Sequence, residues 1–237
     1  GEAIKTTTGY KFKETQVTLQ QKQQAQELYS QYLDSLNKPN TNPILQNNQE
    51  EQVKKFVELQ ERLNNKEFIE GAKNAYESSK GLQELGTQEQ YNDYIAKVSL
   101  GIVKNPTSGE YNYTSKVKDI VYHGSNAKFD KFNKSNLPDS GIYFDKNKTT
   151  AYEYGNILIS AILNSSGYYY GGNLNRVDSK QIRKNGETGL TNGSGNIVFE
   201  PEQIHILGSK QDIEGFKKFV SNYEESFLPE YTGSQLE

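Results

Sequence analysis

The sequence predicts an α+β protein, a split or bent β-sheet domain preceded by an α-helical region. Two observations carry this. Residues 18–98 repeatedly place apolar side chains at helical spacing, and from Lys116 onward the pattern changes to short runs of Ile, Val, Tyr and Phe between Gly, Asn and Ser. The expected organisation is a helical N-terminal region over 1–86, an α+β domain over 87–227 and a flexible tail over 228–237.

Residues 1–16 read as an irregular lead-in. Thr18 and Gln21 form a capping box ahead of Ala25, Leu28, Tyr29, Tyr32, Leu33 and Leu36, which keep helical spacing. Asn37–Pro43 breaks that helix. A second helix is expected over 48–64 with Val53, Phe56, Val57 and Leu63 on one stripe. A third covers 66–80 and stops at Gly81. Thr87 and Gln90 open a fourth, with Tyr91, Tyr94, Ile95 and Val98 facing inward. Gln26–Leu33 echoes Gln88–Ile95, both placing two tyrosines at i, i+3 before an aliphatic residue. Ordinary amphipathic spacing explains that echo better than duplication does. Strands are expected at Asp119–Tyr122, Gly141–Phe144, Asn156–Leu163, Asn196–Phe199 and Gln203–Leu207. Between the second and third, Lys148–Tyr154 reads as a short helix with Asp145 or Asn147 near its cap and Gly155 at its end. Lys184–Gly195, rich in Gly, Asn and Thr, reads as a loop. Ser209 and Asp212 start a last helix carrying Ile213, Phe216, Val220 and Tyr223.

Composition narrows the function. Hydrophobic content is low at 33%, so 17 Tyr and 10 Phe must supply much of the buried surface. A net charge of −3 gives no reason to expect a nucleic-acid partner. No apolar run approaches the ~20 residues of a membrane span, and no signal-peptide core is visible. The absence of cysteine removes disulfides and thiolate chemistry, and two isolated histidines do not make a zinc site. The absence of Met suggests a piece cut from a longer polypeptide.

The chemistry-bearing residues cluster between Val121 and Tyr154. Tyr122-His123-Gly124-Ser125 reads as a strand end, Gly141-Ile142-Tyr143-Phe144 as a second short strand, and Ala151-Tyr152-Glu153-Tyr154 as a helix end. A glycine after a strand lets another molecule's amide approach the backbone, because no Cβ stands in the way. A neighbouring imidazole can hydrogen-bond a hydroxyl. Alternation puts Ile142 and Phe144 on one side of their strand and Tyr143 on the other, open to a ligand. Tyr154 is placed to fold back over the same spot and sandwich an aromatic ring, a contact worth roughly 0.5–1.5 kcal/mol beyond area burial. Ordinary packing is the plain alternative for each residue taken alone.

Together, the Tyr-His-Gly-Ser, Gly-Ile-Tyr-Phe and Ala-x-x-Tyr motifs resemble the NAD-binding signature of ADP-ribosyltransferases of the diphtheria-toxin and poly-ADP-ribose-polymerase type. Asn196-Ile197-Val198-Phe199-Glu200-Pro201-Glu202-Gln203-Ile204 resembles the terminal strand pair of the same class. The resemblance covers about the last 150 residues and is nearest to domains found in phage and mobile-element polyproteins. It implies a split-sheet domain that binds NAD, without metal, and transfers one ADP-ribose to an unknown protein acceptor with release of nicotinamide. His123 would orient ribose hydroxyls and Gly124 the carboxamide, Tyr143 and Tyr154 would stack on nicotinamide, and Ser125 would be a secondary hydrogen-bonder. His123 and Tyr143 are the catalytic candidates. The family's serine ahead of the second tyrosine corresponds to Ala151, with Thr150 beside it. A phage virion or bacterial host cytoplasm is the implied location.

The chain departs from the family in one respect. Active members carry a glutamate just before the apolar triplet, and the matching position here is Gly195 or Asn196. Glu187 and Glu153 are the substitutes at hand, while Glu200 and Glu202 belong to the turn. Polymer formation is therefore not expected. The alternative function is a catalytically degenerate domain serving as a binding or virion-associated structural module, with the N-terminal helices docking a protein partner.

Overall fold

A computed structural model of the chain describes residues 3–6, 9–12, 54–55, 57–104, 111–134, 140–174 and 177–222. The chain divides into two compact units, 1–53 and 54–237. In the first, β1 (Ala3–Thr6) and β2 (Gly9–Phe12) pair antiparallel with Thr6 opposite Gly9. This corrects the irregular lead-in: Ile4, Thr6, Tyr10 and Phe12 are strand-favouring residues spaced for a tight hairpin. The helix expected from Thr18 with its sequence echo, the Asn37–Pro43 break and the tail lie outside the described residues.

The second unit begins with α1 (57–64), α2 (Lys66–Glu77), α3 (Lys80–Gln83) and α4 (Gln88–Ser99). Asn65 starts α2 by accepting from the amides of Glu67 and Phe68 at 3.0 and 3.2 Å. The α4 capping box forms as its sequence requires, Gln90 N to Thr87 Oγ1 at 3.2 Å and Thr87 N to Gln90 Oε1 at 2.8 Å. Gly81 does not end α2 but lies within α3, where a Cβ would meet Ile213 at 3.1 Å. A small hairpin follows, β3 (Ile102–Lys104) with β4 (Tyr111–Thr114).

The remaining elements build one sheet. They are β5 (Val121–Ser125), β6 (Ile142–Asp145), α5 (Lys148–Tyr152), β7 (Ile157–Leu163), β8 (Tyr168–Tyr169), α6 (Ser179–Lys184), β9 (Gly189–Thr191), β10 (Gly195–Val198), β11 (Ile204–Ile206) and α7 (Lys210–Ser221). The seven strands run in the order β11–β7–β5–β6–β10–β9–β8, antiparallel except for the parallel β8–β9 edge. The α+β class is therefore the observed one. Three of these elements, β8, β9 and α6, fall where a loop or nothing was expected. β9 lies inside the Gly-rich 184–195 segment because Gly189 and Leu190 are buried against β10, and α6 is started by Asp178, which accepts from Lys180 and Gln181. The expected terminal strand pair does not pair: β10 lies between β6 and β9, while β11 crosses to the far edge beside β7.

The join between β5 and β6 is narrow. β5 runs along β7 from Val121–Ala161 to Ser125–Ile157, and β6 along β10 from Ile142–Val198 to Asp145–Gly195. Between β5 and β6 a single pair, Tyr122–Asp145, is in register. Beyond it no further β5–β6 pair is in register.

Each face has its own core. Helices α2, α4 and α7 bury Phe68, Ala72, Tyr91, Ile95 and Phe216 against Tyr122 and Ile162. The opposite face closes over Val121, Phe132, Phe144 and Leu163, and Leu190, Ile197 and Phe199 form a third cluster under α6. Phe68 and Leu82 share the first core with Tyr91 and Phe216, so packing runs across the expected boundary at residue 86, and Tyr76 Oη donates to the Gly86 carbonyl at 2.7 Å. Burying one such side chain contributes roughly 1.5–3 kcal/mol. No helix among the described residues is long and apolar enough to cross a membrane.

Candidate functional site

The site lies where β5 and β6 part. Alternation along β5 sends Val121 and His123 to the Phe144 face and turns Tyr122 and Gly124 to the other, where α5 sits. Asp145 lies opposite Tyr122 and so shares its face, as does Tyr143 two residues earlier. Tyr143, Tyr154 and Gly124 are thus on one face and His123 on the other, its ring lying 5.1 Å from Phe132 and 5.4 Å from Phe144.

His123 nevertheless spans the gap. Its Nδ1 lies 2.8 Å from the Tyr143 carbonyl oxygen, which can only accept, so Nδ1 carries the proton and the neutral ring keeps its lone pair on Nε2. Burial pushes the imidazole below its ordinary range, and the carbonyl contact opposes this only in part.

The contact with α5 requires glycine at position 124. A Cβ there would overlap the Ala151 carbonyl oxygen and stand 3.1 Å from Gly155 N, so α5 rests directly on the strand. The close approach foreseen for a ligand is made on this face by the chain's own helix. The backbone polar groups point elsewhere. Ser160 gives its carbonyl to Leu207 N on the β11 side, so its partner Tyr122 turns its N–H and C=O away from β7 and toward β6. Gly124, two residues on, does the same. There β6 has already left the register, and the Gly124 amide and carbonyl face the opening.

The rings of Tyr143 and Tyr154 lie 5.5 Å apart between centroids, tilted by 50°. A flat ligand between parallel rings needs about 7 Å, two ordinary contacts of ~3.5 Å. Tyr154, 54% exposed and just past the end of α5, must swing outward to admit one. A cleft of about 480 Å³ lies between α2, the start of β5 and the turn after β6, lined by Glu67, Tyr122, Lys146, Lys148 and Ser194.

Ser125 is turned away from the opening. Its hydroxyl donates to the Ala127 carbonyl at 2.9 Å and accepts from the Ala127 amide at 3.1 Å, closing the turn after β5. Glu187 is also remote from Gly195. It precedes Gly189, which pairs with Val198, so about five residues at ~3.3 Å, roughly 16 Å, separate its level on the strand from Gly195. Glu153 caps the end of α5 and lies near enough for its charge to bear on Tyr143.

Beside Tyr143 the structure places Asp145, which the sequence suggested only as a helix cap. It is 3% exposed and held at both oxygens, Oδ2 by Tyr143 Oη at 2.5 Å and Oδ1 by Asn147 N at 2.8 Å. Burial first, then this hydrogen bond and charge, push the Tyr143 phenol above its ordinary range and keep it protonated. The i, i+2 step from Tyr143 was the available signal. Among the described residues no three His, Asp or Glu side chains gather as a metal-binding group. No family model, curated protein or solved structure matches the chain.

Proposed function

We propose that this chain is an NAD-binding domain of the ADP-ribosyltransferase type, with the split sheet as its cleft. The observation that carries the reading is the Gly124 backbone, whose N–H and C=O face the β5–β6 opening beside the Tyr143–Tyr154 pair. A carboxamide offers one donor edge and one acceptor edge, the complement of that backbone pair. The nicotinamide ring stacks on Tyr143 and Tyr154, and His123 Nε2 accepts from a ribose hydroxyl. The domain transfers a single ADP-ribose to a protein acceptor, or to water, and releases nicotinamide. A binding module without turnover is the second reading. Gly195 favours it, because a Cβ there would stand 2.9 Å from Tyr143 Oη and leaves no room for a longer side chain without moving the ring.

Two experiments test this. NAD at a hundred times its Kd stabilises the native state by about 2.7 kcal/mol, which raises Tm by roughly 5–11 °C in a domain of this size. Tyr154→Ala, which removes an exposed ring, is expected to weaken NAD about tenfold and leave the unliganded Tm unchanged. An unchanged Tm of the parent protein at millimolar NAD would remove the reading. Labelled NAD in host lysate then separates transferase, hydrolase and binding module by protein-bound label, free ADP-ribose or neither.

A further inference from the structure

We infer that Asp145, acting through the Tyr143 hydroxyl, supplies the negative charge that stabilises the ribosyl cation formed when the nicotinamide bond breaks. The inference rests on the NAD reading above and adds to it the residue on which turnover depends.

The chemistry sets the requirement. In the reacting step the C1′–N bond of the nicotinamide ribose breaks and its electron pair goes to nicotinamide nitrogen, which leaves neutral. The ribosyl carbon becomes positive until water or an acceptor nucleophile bonds to it and sheds a proton to solvent. A fixed negative charge beside that carbon, in a site closed to water, is the group that lowers the barrier. Asp145 meets this description. It is buried, on the face of Tyr143, Tyr154 and Gly124, and fixed at both oxygens. Tyr143 spends its proton on Asp145 at 2.5 Å, so the phenol oxygen offers only lone pairs to the cleft, made more electron-rich by the carboxylate behind it. Gly195 completes the arrangement. It is the direct cross-strand partner of Asp145, and the space its side chain would take holds Tyr143 Oη and Cε2, at 2.9 and 3.0 Å from an ideal Cβ. Asp145 is thus a positioning residue, and Tyr143 touches the substrate.

The test measures NAD binding by thermal shift and nicotinamide release by the full chain, for the parent, Asp145→Asn and Tyr143→Phe. Asp145→Asn keeps the shape and removes the charge. Tyr143→Phe keeps the stacking ring and removes the relay. Both are expected to bind NAD with unchanged KM and to lose ~10²–10³-fold in kcat. A loss confined to KM, an unchanged kcat in either variant, or NAD binding by the parent without turnover overturns the inference. Should Asp145→Asn fail to fold, Tyr143→Phe decides alone by the same criterion. Failure of the parent to bind NAD strikes the underlying reading instead and is seen before any variant is made.

Discussion

Gly124→Ala tests whether strand and helix must touch for the site to exist. The added Cβ would overlap the Ala151 carbonyl oxygen and lie 2.9 Å from the carbonyl carbon and 3.1 Å from Gly155 N. All three atoms are backbone, so no side chain can rotate aside. Ordinary contact lies near 3.5–4.0 Å, so α5 has to lift from β5 by about an ångström or more. Overpacking of this kind costs typically 1–3 kcal/mol. The rigid neighbours place this case near 3 kcal/mol, or about 6–12 °C in Tm for a domain of this size. Lifting α5 also carries Tyr154 off Tyr143, so NAD stabilisation is expected to vanish in the folded variant. Gly171→Ala is the control, since its Cβ meets only Tyr169 Cε1 at an ordinary 3.7 Å. Thermal melts with and without NAD read both effects. A Gly124→Ala protein that melts within about 1 °C of the parent and keeps its NAD shift would refute the reasoning.

Two further outcomes follow from buried polar groups. Asp212 is fully buried and accepts from Tyr91 Oη at 2.6 Å, Gly208 N at 2.7 Å and His205 Nε2 at 2.7 Å. Asp212→Ala strands three donors and is expected to cost about 3–5 kcal/mol in urea denaturation, and a cost under about 1 kcal/mol would show that the network is not structural. His123 titrates below its ordinary value in the folded chain, so the unfolded chain takes up a proton first as pH falls. Stability is therefore fully present above about pH 6.5 and declines below it until the lower folded-state value is passed. His123→Gln should flatten that part of the stability–pH curve relative to the parent, and superimposable curves would assign the titration elsewhere.

What the sequence revealed follows from local physics. The boundaries of β6, β7 and α4 were legible to within about a residue because alternation and the Thr87–Gln90 box are written in adjacent residues, whereas β5 starts at Val121 and runs on to Ser125 instead of covering Asp119–Tyr122, because its extent is set by pairing with β7. β9 was not, because its Gly-Leu-Thr run has loop composition and becomes a strand only through burial between β8 and β10. Arg62 was hidden for the same reason. It sits in α1 one residue before the expected Leu63 stripe, is 1% exposed, and gives Nε to Ser99 Oγ at 3.2 Å across 37 residues of chain.

The site shows the same division more sharply. The side of the strand taken by Tyr143 was legible because a ring alternating with the core residues Ile142 and Phe144 is visible in four consecutive letters. The link from Asp145 to Tyr143 was overlooked because an acid three residues before a helix reads as part of its cap, and it does accept the Asn147 amide. The cap itself is Asn147, through Thr149 N at 2.8 Å. The second oxygen of Asp145, and with it the link to Tyr143, is fixed by tertiary burial. A position-by-position comparison asks for a carboxylate on β10 and finds Gly195. The ladder asks a different question, which side chains share that rung, and answers with Asp145. In a sheet, cross-strand partners point to the same face with Cβ atoms about 4.5–5.5 Å apart, so a charge can move from one strand to its neighbour and act on the same volume. The glycine and the aspartate are then one arrangement: the first leaves the space that Tyr143 enters, and the second holds it there.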